Sequence, residues 1–99
     1  MLRPLILATL LSLAACATVT EIAIGEALVW HCDGGRTFRA HNTSGGNAKV
    51  VAGGQTYRLP GVMAGSGARY FDGSVEYWEH HGEAMLNGAA GGPYENCRN

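Results

Sequence analysis

Apolar and polar residues alternate over short distances along most of this chain, and glycines punctuate the alternation. Residues 27–32 place Leu28 and Trp30 on the same face as Cys32, and Asp33, Gly34 and Gly35 then turn the chain. Residues 36–41 set Phe38 and Ala40 on one face, followed by turn composition from Asn42 to Gly46. Residues 48–52 precede Gly53 and Gly54, a two-residue hairpin signal. Residues 55–59 align Tyr57 with Leu59; Pro60 and Gly61 break the run, and residues 62–64 read as a further short strand. Residues 68–71 and 75–80 flank Asp72 and Gly73 as another hairpin, and residues 83–86 and 94–97 close the chain. Beyond the first sixteen residues, no stretch keeps the 3.6-residue period of a helix. Roughly seven or eight short strands at a spacing of about ten residues predict an all-β domain, either a closed antiparallel barrel or a small sandwich. Closure favours the barrel, because it removes the unpaired edges that a small sheet protein otherwise exposes.

The first residues follow a different pattern. Arg3 supplies a positive charge, and residues 5–13 form an apolar run interrupted only by Thr9 and Ser12. Ala14, Ala15 and Cys16 follow. A charged end, a short apolar core and small residues at the exit make a secretory leader. The core is too short for a bilayer interior of about 30 Å, which takes ~20 apolar residues. Leu13-Ala14-Ala15-Cys16 also resembles the bacterial lipobox, in which cleavage leaves a lipidated cysteine at position one; the alternative is a plain leader with an incidental cysteine. Each buried CH₂ of its acyl chains, palmitate among them, adds about 0.8 kcal/mol of membrane affinity. The expected organisation is a leader over residues 1–15, a lipidated tether over 16–26, with Ile22 and Ile24 as an alternative strand start, and a β-barrel domain over 27–99.

Composition narrows the function classes. Apolar residues make up 46% of the chain and charged residues 15%, which excludes a disordered polar chain. The formal net charge of −1 excludes a nucleic-acid binder that relies on a broad basic face. Without the leader the balance is six basic residues against eight acidic. Once Cys16 is assigned to lipid, Cys32 and Cys97 remain as an even pair in an exported protein, where disulfides persist. Closing their loop of about 66 residues is worth roughly 4 kcal/mol in the chain-entropy account. The rival reading is a metal site, but His31-Cys32 and His80-His81 lack the spacings of zinc ligands.

Catalytic motifs are missing: the chain has no G-x-S-x-G elbow, no H-E-x-x-H pair and no phosphate loop. Asp33, Asp72 and the glutamates fall in turns or on outward strand positions, and Ser66 has no orienting His/Asp chain. No cofactor or metal is expected. Ser66 lies between Gly65 and Gly67, which reads either as a turn linker or as a slim loop able to enter a narrow space.

The order of several motifs settles more than any one of them. They are the lipobox at Cys16, Trp30-His31-Cys32-Asp33-Gly34-Gly35, Ser66-Gly67-Ala68-Arg69-Tyr70, Asp72-Gly73, Trp78 with Gly82-Glu83-Ala84, and Cys97. In these the chain resembles the bacterial lipoprotein inhibitors of c-type lysozyme. The resemblance covers about residues 27–99. It implies an eight-stranded antiparallel barrel, a Cys32–Cys97 disulfide and insertion of a loop into the lysozyme cleft. It also implies contact through Ser66, Gly67 and Tyr70. The partners implied are a host c-type lysozyme and, through Cys16, a membrane; nucleic acid is not among them. The implied location is the bacterial envelope, with Ala17 after the lipidated cysteine pointing to the outer membrane facing the periplasm. One departure stands out. The family pattern W-x-K-G-x-E-A is here Trp78-Glu79-His80-His81-Gly82-Glu83-Ala84, without lysine. His80 takes its place in an ungapped register, and His81 takes it if Gly82 is held fixed. Loss of the lysine keeps a second role open, that of a structural or adhesive envelope lipoprotein of the same fold.

Overall fold

A computed structural model describes residues 23–99. The leader, the lipobox at Cys16 and residues 17–22 of the tether lie outside the described residues. Eight antiparallel strands follow in order: β1 (Ala23–His31), β2 (Thr37–Thr43), β3 (Asn47–Ala52), β4 (Gln55–Val62), β5 (Ala68–Phe71), β6 (Glu76–His80), β7 (Glu83–Asn87) and β8 (Tyr94–Arg98). Each pairs with its sequence neighbour, and β8 returns to β1, so the sheet is a closed barrel. The all-β expectation is borne out, and the barrel rather than the sandwich is the outcome.

Two boundaries differ from the alternation-based reading. β1 begins at Ala23, because Ala23 and Ile24 pair with Thr43 and Asn42 ahead of a register shift. β4 runs through Pro60 and Gly61 to Val62 instead of breaking there. Pro60 stands opposite Asn47, the last rung with β3, and the next residues, Gly61 and Val62, pair with Tyr70 and Arg69 of β5. Proline is tolerated where a strand changes partner, since its missing N–H falls at the end of a ladder.

Alternation puts one face of each strand inside. Trp30, Phe38, Val50, Leu59, Tyr77 and Leu86 are nearly or wholly buried. Aromatic rings form a column through the barrel. Phe38 meets Tyr77 edge-on with centroids 5.7 Å apart and Tyr94 at 5.3 Å, and Tyr77 stacks on Tyr70 at 5.6 Å. Such pairs add about 0.5–1.5 kcal/mol each beyond burial. The polar ends of Trp30 and Tyr77 are satisfied within the fold. Trp30 Nε1–H donates to the Tyr77 hydroxyl at 3.0 Å, and that hydroxyl donates to Glu79 Oε2 at 2.9 Å. Burial first, and the Glu79 carboxylate second, hold the Tyr77 phenol well above its ordinary pKa.

The barrel closes at a thin seam. β1 and β8 share the single rung His31–Arg98. The next residue on one strand and the preceding one on the other, Cys32 and Cys97, are joined by a disulfide with an S–S distance of 2.12 Å. The covalent bond therefore stands where the hydrogen-bond ladder is shortest.

Candidate functional site

The site forms where the β6–β7 hairpin meets the loop between β4 and β5. His80 and Glu83 are the last rung of the hairpin. The connection is only His81 and Gly82, with φ of 50° and 75°. Two left-handed residues in a two-residue turn match the twist of the flanking strands, and a non-glycine at the first of them is uncommon. His81 turns back on its neighbour: the two imidazoles stack with centroids 4.1 Å apart and planes within 7°.

Residues 63–67 cross beside this hairpin. Trp78 Nε1–H donates to the Ser66 carbonyl at 3.1 Å, which pins the loop at the serine. Gly67 has a φ of 73°, and a Cβ there would run into the Glu79 carbonyl and lie 3.0 Å from His80 Cβ. Only glycine lets the loop come this close to β6. The pin and the close approach bring Ser66 and His80 to one rim of the barrel.

Between the Ser66 loop and the outer faces of β6 to β8 runs an open groove of about 420 Å³. Ser66, Trp78, His80, Met85, Glu83 and Glu95 are on its walls. Glu83 is held by an exposed ion pair with Arg98 at 2.8 Å. Among the described residues, no three His, Cys, Asp or Glu side chains gather to hold a metal ion.

Of the residues singled out in the sequence, Ser66, Gly67, His80 and His81 come together at this rim. Tyr70 does not join them. It is 9% exposed, its ring lies inside on Tyr77, and its hydroxyl donates to Asn42 Oδ1 at 3.2 Å. Burial, then the Glu79 carboxylate, raise its pKa above the ordinary tyrosine value. Tyr70 thus sits in the scaffold behind the loop. Trp78, which anchors Ser66, escaped the residue-by-residue reading as a site residue. Its signal was there: with Tyr77 inside, alternation turns the Trp78 indole outward, where so large an apolar ring calls for a partner.

A family model described as membrane-bound lysozyme-inhibitor of c-type lysozyme matches residues 30–94. The match contains the disulfide's first cysteine, the Ser66 loop and the histidine hairpin. Comparison with curated proteins and with solved structures returns no match.

Proposed function

The chain belongs to the family of membrane-bound inhibitors of c-type lysozyme, and from that premise we propose that it blocks lysozyme by placing the Ser66 loop in the enzyme's cleft. A glycosidase cleft displays two carboxyl groups flanking the scissile bond. The Ser66 hydroxyl and the imidazole of His80 offer those carboxyl groups hydrogen-bond donors and, when His80 is protonated, a cation. Neither offers a glycosidic bond to cleave, and the barrel behind them excludes the sugar chain. The observation that supports this reading is that Gly67 lies too close to β6 for a side chain, with Ser66 and His80 lining the same groove.

The turn geometry also favours His80 over His81 as the counterpart of the family's lysine. His81 has the positive φ that a glycine at that place would supply. The ungapped register, with His80 for lysine and His81 for glycine, accounts for this; the shifted register puts the glycine on Gly82, also left-handed at 75°, and leaves the φ of His81 without a reason. His81 then backs the His80 ring, and Tyr70 supports the loop from within. Cys16 carries the lipid in this account and holds the barrel at the periplasmic face of the outer membrane, where an incoming lysozyme meets the cell wall.

The test is a cell-wall lysis assay in which protein lacking residues 1–16 is titrated against a purified c-type lysozyme. Stoichiometric inhibition is expected, and Ser66→Leu should remove most of it while leaving the melting temperature unchanged. Full lysis at an excess of folded wild-type protein would reject the inhibitor function. Intact-mass analysis of the mature protein should show acyl mass on Cys16; its absence would reject the lipid anchor alone.

A further inference from the structure

Met63, in the loop that carries Ser66, is 93% exposed, far more than any other exposed large apolar side chain among the described residues. A lone exposed apolar residue is ordinary, but this one has apolar company. Met63 and Ala64 border a notch whose other walls are Trp78 and Met85 together with the Arg69–Glu76 ion pair. Trp78 and Met85 also line the groove beside Ser66. Notch and groove are therefore one continuous face, with the indole that pins Ser66 at its centre. No packing within the barrel accounts for a side chain so fully in water, and the loop ahead of Ser66 presents it outward.

A cleft that binds a small molecule or a saccharide is lined mainly by apolar and aromatic side chains around a few polar groups. Ser66 and His80 address only the polar groups. A methionine side chain is unbranched and polarisable, and it adapts to aromatic and aliphatic surfaces alike. We propose that Met63 is an apolar, specificity-determining contact of this inhibitor, packing on a nonpolar wall of the c-type lysozyme cleft next to the carboxyl groups that Ser66 meets. The proposal rests on the inhibitor reading and adds a second kind of contact to it: Ser66 supplies hydrogen bonding, and Met63 supplies burial. The partner is the enzyme because the patch is continuous with the edge that the serine loop presents to it.

The test measures Kd for a purified c-type lysozyme with soluble wild-type protein, Met63→Gln and Met63→Leu, with Ser66→Leu as a reference. Met63→Gln keeps the length of the side chain and makes its end polar, and it should weaken binding by about tenfold or more, as a buried interface anchor does. Met63→Leu should stay within about threefold of wild type, since it keeps the apolar volume. All melting temperatures should agree, because Met63 packs on little. Wild-type binding with no loss in Met63→Gln, while Ser66→Leu does lose affinity, would overturn the Met63 contact and leave the inhibitor reading standing. Absence of wild-type binding would overturn both. If Met63 instead seats a second copy of the chain, sedimentation will show a dimer that Met63→Gln dissociates without changing the lysozyme Kd, which also overturns the proposal.

Discussion

The two ends of the barrel are built differently. At one end the β3–β4 and β7–β8 turns lock together. Gly53 lies so close to the Ala90 carbonyl that a Cβ would not fit, and its φ is 57°. The Tyr57 hydroxyl accepts from the Ala90 N–H at 2.8 Å, and the Tyr94 hydroxyl donates to the Ala90 carbonyl at 2.6 Å. The neighbouring β5–β6 turn is closed by Asp72, whose carboxylate accepts from the Ser74 and Val75 N–H groups. Those two bonds hold its pKa below the ordinary carboxylate range. At the other end, Met63 stands in water, Gly65 has open space around it, and His81 holds a left-handed backbone. Contacts at the first end hold turns to each other. Those at the second aim a loop outward. Changes at the braced end should therefore cost stability and leave inhibition alone, and changes at the open rim should do the reverse.

The largest effect is expected at the seam that joins β1 and β8. With one rung between the strands, Cys32→Ser removes most of what closes the barrel. Losing the bond should lower unfolding free energy by about 2–5 kcal/mol, read from chemical denaturation. A smaller loss than that would mean that the seam holds without its covalent bond. Next comes the braced end. Gly53→Ala combines a left-handed backbone with a clash against Ala90 and should cost about 2–3 kcal/mol. Tyr57→Phe removes one hydroxyl from the Ala90 N–H and should cost about 1 kcal/mol. Both variants should inhibit lysozyme as wild type does once folded. Lost inhibition in folded Gly53→Ala would show that the two ends are coupled and would break the comparison.

The two ends also differ in how much of them could be read from the residues. Period-2 alternation found Trp30, Phe38, Ala40 and Leu59 as inward positions, and the Gly53-Gly54 signal marked its hairpin, because these are local features. Pro60-Gly61 reads as a break although β4 continues through it, since the change of partner from β3 to β5 depends on tertiary pairing and not on local pattern. The bracing of Ala90 by Tyr57 is likewise tertiary, and no spacing announces it. At the rim, Ser66 and the histidines stand out through family resemblance, whereas their proximity follows from the β5–β6 register, in which Ala68 pairs with Glu79 and Gly67 comes beside His80. Tyr70 shows the limit of motif transfer. It belongs to the same motif as Ser66 but alternates inward, so the barrel keeps it from the surface that Ser66 reaches.

The smallest effect, and the one that most sharpens the contrast, concerns the charge offered at the rim. Lysine stays protonated across the physiological range, whereas imidazole changes charge between pH 5 and 8. The groups that face His80 are the His81 ring, the Gly67 backbone, Ser66 and Glu95 across the groove, and Glu83, which is already paired with Arg98. If the rim enters the lysozyme cleft as proposed, the cleft carboxylates should favour the imidazolium, and binding should take up a proton. Affinity should then be greatest in mildly acidic solution and fall as pH rises through the range where imidazole loses its proton. An opposing term flattens the acid side, because the catalytic acid of lysozyme is itself partly neutral near pH 6. A charge-assisted hydrogen bond exceeds a neutral one by about 1 kcal/mol, so Kd should rise about fivefold between pH 6 and pH 8. His80→Lys should remove most of that rise and tighten binding at pH 8, whereas His81→Lys should leave it largely in place. Calorimetric Kd values at several pH values for the three proteins separate these outcomes. A wild-type Kd that stays flat from pH 6 to 8 would mean that the imidazole does not act as the cation at this rim, and that Ser66 and its apolar neighbours carry the contact alone.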